Sequence, residues 1–309
     1  MKRLLLIMAV YFMLPATSLY AQGEPWIIAV DGLAFRELGP EIGSLELELK
    51  RLPKEPDGYL GDALRNAPNI ANMSPKVISY SWSRDPADSR EEIEVLKSAI
   101  LAYYQHAAQK NRPLVIVAHS WGTVLAYTAL HQLVDQGSDV RIACFITLGS
   151  PLNPRVDAGS GALVWNFLKN KSIMEGLPLN IIFKNQQKPS NVTGEWVNLW
   201  AKGDLISNQV SAANENVQID KDNVLWNSLY FVANFGLRDY VLGPSTFKWH
   251  GEYYKNPRWI NGEIPEIIKR NIPKRAIVAP TDQKTELYGL LMLIVFFFYS
   301  IFKLIGSLF

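Results

Sequence analysis

Residues 114–122, Leu-Val-Ile-Val-Ala-His-Ser-Trp-Gly, constrain this chain more than any other stretch in it. An apolar, β-branched run without polar alternation is what a parallel strand buried on both faces requires. The run stops in Ala118-His119-Ser120-Trp121-Gly122, a small-x-Ser-x-small pentapeptide, and from Thr123 to about Leu133 apolar residues recur at helical spacing. Strand, sharp turn with a central serine, then helix is the context of a nucleophile elbow. Such a turn strains the serine backbone, and only small neighbours tolerate it. Ala118 stands where glycine is usual, and its single methyl is expected to fit. The Ser120 hydroxyl should project from the end of the sheet. The backbone N–H of Trp121 should lie at a helix N-terminus, where negative charge is stabilised. The competing reading at this point is a core strand that merely ends in serine.

A serine nucleophile needs a base. Of the four histidines, His106 and His131 lie on helical segments flanking the elbow strand, and His119 is inside the elbow with its side chain pointing away from Ser120. Only His250 lies far downstream, in Lys248-Trp249-His250-Gly251-Glu252-Tyr253. Elbows of this kind are followed in chain order by an acid and then a histidine, which singles out His250. The acid is expected at the end of a late strand. Glu195-Trp196-Val197-Asn198-Leu199-Trp200-Ala201 reads as that strand, and it runs through Lys202 and Gly203 into Asp204. A carboxylate there would fix the imidazole tautomer and stabilise the imidazolium. Asp220 and Asp222 are rivals, placed in the polar run Gln218-Ile219-Asp220-Lys221-Asp222, which reads as solvated loop.

With these residues in view, the chain resembles a serine hydrolase of the α/β-hydrolase superfamily, on the lipase/esterase side. The elbow carries the resemblance. Phe145-Ile146-Thr147-Leu148-Gly149-Ser150-Pro151 is similar to the "TLGSP" strand end that follows the elbow helix in lipase-like members. Val77-Ile78-Ser79-Tyr80-Ser81-Trp82 resembles the strand before the long helix that precedes the elbow, and Asn198 through Asp204 resembles the acid strand. One departure stands out. The first strand, Trp26-Ile27-Ile28-Ala29-Val30, leads into Asp31-Gly32-Leu33, where lipase-like members usually begin the turn with His-Gly. The resemblance implies that this turn supplies the second oxyanion donor, the backbone N–H of Leu33, beside that of Trp121. A carboxylate facing a developing oxyanion would be unfavourable. Asp31 is therefore expected to turn away and bond backbone or a basic partner.

Both ends of the chain are hydrophobic. Lys2 and Arg3 followed by Leu4 to about Leu14 and small residues near Ser18 and Ala21 read as a secretory signal peptide over residues 1–21, with an uncleaved signal anchor as the alternative. Residues 287–309 carry a nearly charge-free apolar stretch of about the 20 residues a bilayer requires, so a C-terminal transmembrane helix is expected there. Residues 271–286, with Pro273, Lys274, Arg275 and Pro280, read as a juxtamembrane linker. A removed glycolipid-anchor signal is the lesser alternative.

Between the ends, residues 22–270 are the right size for one α/β domain. Strands are expected near 26–30, 77–82, 114–118 and 142–148, alternating with helices near 40–52, 90–109 and 121–135. This alternation predicts a mostly parallel central sheet with helices on both faces. Two insertions, about 152–194 and about 208–247, flank the acid and the histidine and are expected to form a cap or lid over the strand ends. The single cysteine, Cys144, excludes an internal disulfide. No Cys/His spacing, P-loop or Gly-rich dinucleotide fingerprint points to a metal or cofactor, so none is expected. A net charge of +2 decides nothing about nucleic acid, and no basic or aromatic-interleaved patch supports such a partner.

The expectation from sequence is thus a membrane-tethered serine esterase, single-pass, with its catalytic domain outside the cytoplasm and a small-molecule or lipid ester as substrate. Ser120, Asp204 and His250 would form its triad, with the Leu33 and Trp121 N–H groups as its oxyanion hole. An acyltransferase or thioesterase using the same triad, and a non-catalytic binding or scaffolding protein on the same fold, remain open at this stage.

Overall fold

In the computed structural model, the structure describes residues 20–22, 24–33, 56–153, 177–178, 182–204, 206–220, 244–272 and 274–276. The chain divides into two units. In one, Met1–Gln22 with Lys274–Phe309, the described part is a two-stranded antiparallel ribbon in which Tyr20–Gln22 pairs with Lys274–Ala276. The other, Gly23–Pro273, holds the candidate site.

That second unit is built on six strands: β1 (Trp26–Val30), β2 (Lys76–Tyr80), β3 (Leu114–His119), β4 (Cys144–Leu148), β5 (Trp196–Trp200) and β6 (Glu215–Gln218). Every adjacent pair is parallel, in the order β2-β1-β3-β4-β5-β6. The first, third, fourth and fifth strands are buried along their whole length, which is why they read as mostly apolar runs, broken only by His119, Thr147 and Asn198. Side chains alternate between two cores with the period of two that a strand imposes. Trp26, Ile28, Val30, Leu114, Ile116, Phe145 and Trp196 enter one core, while Ile27, Ala29, Val115, Val117, Ile146 and Val197 enter the other.

Helices cover both faces. α1 (Tyr59–Asn66) and the short α2 (Pro68–Ala71) supply Leu60, Leu64 and Ile70 to the second core. α3 (Ser89–Gln109) and α4 (Trp121–Asp135) supply Ile93, Leu96, Val124 and Leu125 to the first. α5 (Pro244–Lys255) brings Tyr253 and Tyr254 to the second core, and α6 (Ile264–Asn271) brings Ile264, Ile267 and Ile268. The crossover from β1 to β2 runs one way along the sheet with its helices on one face. The crossovers through α3 and α4 run the other way on the opposite face. Reversed direction with reversed face keeps every one of these connections right-handed. The reversal also makes the gap between the C-terminal ends of β1 and β3 the switch point of the sheet, where open α/β sheets bind ligands.

The expected parallel sheet with helices on both faces is present. The segment read as an insertion over 208–247 contains β6, a strand missed because Glu-Asn-Val-Gln is polar and only half buried at the sheet edge. The run Gln218–Asp222 is not simply solvated loop: Ile219 and Asp220 are buried, and the Asp220 carboxylate accepts the N–H groups of Lys202 and Gly203 at 2.9 and 2.8 Å. Asp222, the expected helix over 40–52, most of the two insertions, nearly all of the signal-peptide segment, most of the linker, and residues 287–309 lie outside the described residues. Among the described residues no helix is long and apolar enough to cross a membrane.

Candidate active site

The elbow forms where the sequence places it. Ser120 sits between β3 and α4 with φ 52° and ψ −129°, a region that costs a non-glycine residue about 1–3 kcal/mol. Its N–H donates to the Leu148 carbonyl at 2.9 Å, which ties the turn to the end of β4. Two glycines make the turn possible. A Cβ on Gly122 would lie 2.4 Å from the Asp31 carbonyl oxygen, and one on Gly32 would lie 2.5 Å from the Ser120 Cβ. The turn after β1 and the start of α4 therefore interlock around Ser120 at the switch point. Trp121 is the first residue of α4, where backbone N–H groups have no partner within the helix. Thr123 donates its hydroxyl to the Ser120 carbonyl at 2.7 Å.

His250 is on α5 and buried. Its Nδ1 lies 2.9 Å from Asp204 Oδ2. Asp204 follows β5 and is wholly buried. Its other oxygen accepts the Ile206 N–H at 2.9 Å, and Oδ2 also accepts the Tyr253 hydroxyl at 2.8 Å. Burial alone would raise the Asp204 pKa, but the charge of His250 and the hydrogen bonds outweigh it and hold the carboxyl below the usual value. An ionised carboxylate only accepts, so Nδ1 carries the proton and the Nε2 lone pair is the basic one. The His250 ring reaches the end of β4: a Cβ on Gly149 would sit 3.2 Å from both Nδ1 and Cε1. The structure thus joins Asp204 to His250 directly and brings both to the strand end that Ser120 is bonded to.

The turn after β1 is pinned on every side. The Asp31 carboxylate turns to the start of α1 and accepts the N–H groups of Gly58 and Leu60 at 2.6 and 3.2 Å. Burial raises its pKa to about 6 against the pull of those two bonds and of Arg84. Trp82 Nε1 donates to the Asp31 carbonyl at 3.0 Å, and Gly32 N–H donates to the Tyr59 hydroxyl at 2.9 Å. Leu33 is buried beside them.

Sequence reasoning missed a second polar chain. His119 Nε2 lies 2.7 Å from the His250 carbonyl, and its Nδ1 meets the Tyr59 hydroxyl. A carbonyl only accepts, so Nε2 carries the proton, Nδ1 accepts from Tyr59, and Tyr59 accepts from Gly32. Burial first, then the neighbouring His250, holds the His119 pKa well below its usual value, which keeps the ring neutral as this pattern needs. The chain links the turn after β1 to the helix of His250. Tyr253 was also missed. Its spacing of three from His250 puts the two on one helical face, a signal visible once a helix is placed there.

Residues 69–174, about a third of the chain, match the family model of lecithin:cholesterol acyltransferase. No curated protein matches the chain. Among solved structures, a thermostable esterase from Pseudomonas putida is similar at 11% identity over 84% of this chain and 78% of its own, with a TM-score of 0.38. An esterase from Rhizomucor miehei is similar at 14% identity over 74% and 77%, TM-score 0.41. A carboxyl esterase from Tuber melanosporum is similar at 9% identity over 71% and 78%, TM-score 0.44.

Proposed function

We propose that this chain, similar to the lipase- and esterase-like α/β hydrolases, is a membrane-tethered serine hydrolase that cleaves a carboxylic ester. The observation that carries the reading is the buried Asp204–His250 hydrogen bond beside the end of β4, to which the strained Ser120 is also bonded. In this mechanism His250 Nε2 takes the Ser120 hydroxyl proton as the oxygen attacks the ester carbonyl. The Trp121 and Leu33 N–H groups stabilise the resulting oxyanion. The intermediate collapses as His250 returns the proton to the leaving alcohol, and an acyl-enzyme remains. Water, deprotonated by the same nitrogen, then releases the acid, while Asp204 holds the tautomer and the imidazolium throughout.

A fluorophosphonate probe should label the protein at Ser120. Ser120→Ala should abolish labelling and ester hydrolysis with little change in thermal stability. Full activity in that variant would overturn Ser120 as the nucleophile, whereas a wild type that neither labels nor turns over would favour a non-catalytic role for the fold. The family match adds a second reading, in which an alcohol rather than water takes the acyl group. Partitioning of the acyl-enzyme with added alcohols separates the two: transfer that dominates in water would make the chain an acyltransferase.

Tethering rests on the apolar stretch over 287–309 and the basic-then-apolar start of the chain. Deleting residues 284–309 should release active enzyme into the extracytoplasmic fraction. Protection of the domain from protease added to spheroplasts until the inner membrane is lysed would instead place it in the cytoplasm.

A further inference from the structure

Arg84 is a buried cation in the loop after β2, 4% exposed, and its φ of 60° is unusual for a residue with a side chain. Its guanidinium is turned onto the turn after β1. Nε donates to the Gly32 carbonyl at 2.8 Å and Nη2 donates to the Leu33 carbonyl at 3.1 Å. The group lies 5.1 Å from the centre of the Tyr59 ring, and Nη1 is 3.7 Å from an exposed carboxylate, that of Asp57. A charge taken out of water costs several kcal/mol unless it is well bonded, so a buried guanidinium committed to two carbonyls of one turn calls for a reason.

The peptide bond supplies one. The Gly32 carbonyl and the Leu33 N–H belong to the same planar, trans unit and point in opposite directions. Holding the carbonyl on one side therefore fixes where the N–H points on the other. Gly32 lies against Ser120: a Cβ there would be 2.5 Å from the Ser120 Cβ and 3.2 Å from its Oγ. A cation on the carbonyl side also draws electron density toward oxygen and strengthens the N–H as a donor, as hydrogen bonds in series do. The second contact, to the Leu33 carbonyl, prevents the turn from rocking about the first.

We propose that Arg84 is a positioning residue that aims and polarises the Leu33 N–H toward the oxyanion by gripping the opposite side of the same peptide. The proposal rests on the triad and oxyanion hole set out above. It assigns Arg84 a task that acts through the peptide of another residue.

The test uses the full chain and a p-nitrophenyl ester. Because an oxyanion exists only near the transition state, Arg84→Ala should lower kcat on the order of 10²-fold while KM changes less than about threefold. Affinity for a trifluoromethyl ketone, which forms an oxyanion adduct, should fall by the same factor as kcat. Arg84→Lys, a point charge without the fork, should retain only part of the activity. Added guanidinium should raise kcat of Arg84→Ala and leave the wild type unchanged. A kcat within about threefold of wild type in Arg84→Ala, with Ser120→Ala inactive, overturns the role of Arg84 and leaves the triad standing. Equal losses in kcat and in ester binding, with no guanidinium rescue, make Arg84 a structural residue only. If the wild type neither labels nor turns over, the triad falls and the role of Arg84 falls with it. Where Arg84→Ala fails to fold, Arg84→Lys and Arg84→Gln carry the same kcat, KM and ketone comparison.

Discussion

The turns after β1 and β5 both end buried parallel strands, and each buries an aspartate, yet the two carboxyls are driven in opposite directions. Asp31 accepts two backbone N–H groups, and burial still raises its pKa to about 6. Asp204, more deeply buried, is held below the usual value because the charge and hydrogen bond of His250, with the Ile206 N–H and the Tyr253 hydroxyl, outweigh its burial. Depth does not separate them; the partner does. Burial pushes the Asp31 carboxyl up by more than two peptide N–H groups and Arg84 pull it down, whereas His250 both faces Asp204 with its charge and hydrogen-bonds it directly. The turn after β1 is accordingly built to hold backbone in place, and the turn after β5 to hold charge.

The sharpest way to break this contrast is to neutralise each aspartate. Asp204→Asn should keep the fold and lower turnover on the order of 10⁴-fold, because the wrong imidazole tautomer is then favoured. Asp31→Asn should change turnover less than about tenfold. Steady-state kinetics on one ester decides it, and a reversed order would move the functional carboxylate to the turn after β1. Asp220→Asn belongs with the structural class: it should cost stability by loosening Lys202 and Gly203 and leave the kinetic mechanism intact.

A smaller effect lies in the pH dependence of stability. The folded-state pKa of Asp31 is raised above its unfolded value, so the native state binds more protons between about pH 4 and 6, and stability from this group is lost as pH rises through that window, by up to ~3 kcal/mol. Asp204 has the opposite sign. Its contribution is complete above its unfolded value and is lost as pH falls below about 4. His119, lowered in the fold, loses stability as pH drops below about 6.5, against the trend of Asp31. Urea midpoints of wild type and Asp31→Asn, subtracted at each pH, isolate Asp31. A flat difference from pH 4 to 6 would mean its carboxyl titrates normally.

The smallest expected effect sharpens the picture at Asp204. Tyr253→Phe removes one hydroxyl shared between Asp204 and Ser207. It should cost about 1 kcal/mol of stability, read by denaturant titration, and a severalfold loss of turnover at most.

Much of this was legible in sequence because it is local. The elbow, its strand and its helix are adjacent in the chain, and α4 begins and ends where apolar spacing predicts. The strand before Gly203-Asp204 announced itself by its Trp-Val-Asn-Leu-Trp run, rich in residues that favour strands. What escaped depends on distance or on backbone geometry. Tyr253 meets Asp204 across 49 residues, and His119 meets the His250 carbonyl across 131. Arg84 turns inward through a positive φ that no residue pattern encodes. Asp220 looked solvated because its neighbours are polar, although its carboxylate caps a turn from inside.

Chain order gives the molecule a clock. Residues 26–148 supply four adjacent strands, β2-β1-β3-β4, and with them the turn that strains Ser120. Asp204 emerges from the ribosome well after that sheet, and His250 later still, followed by the isoleucines of α6 that close the second core. On the proposed triad, a chain that stops short of residue 250 would hold the serine of the elbow without its base, so such a truncation should not label with a fluorophosphonate probe.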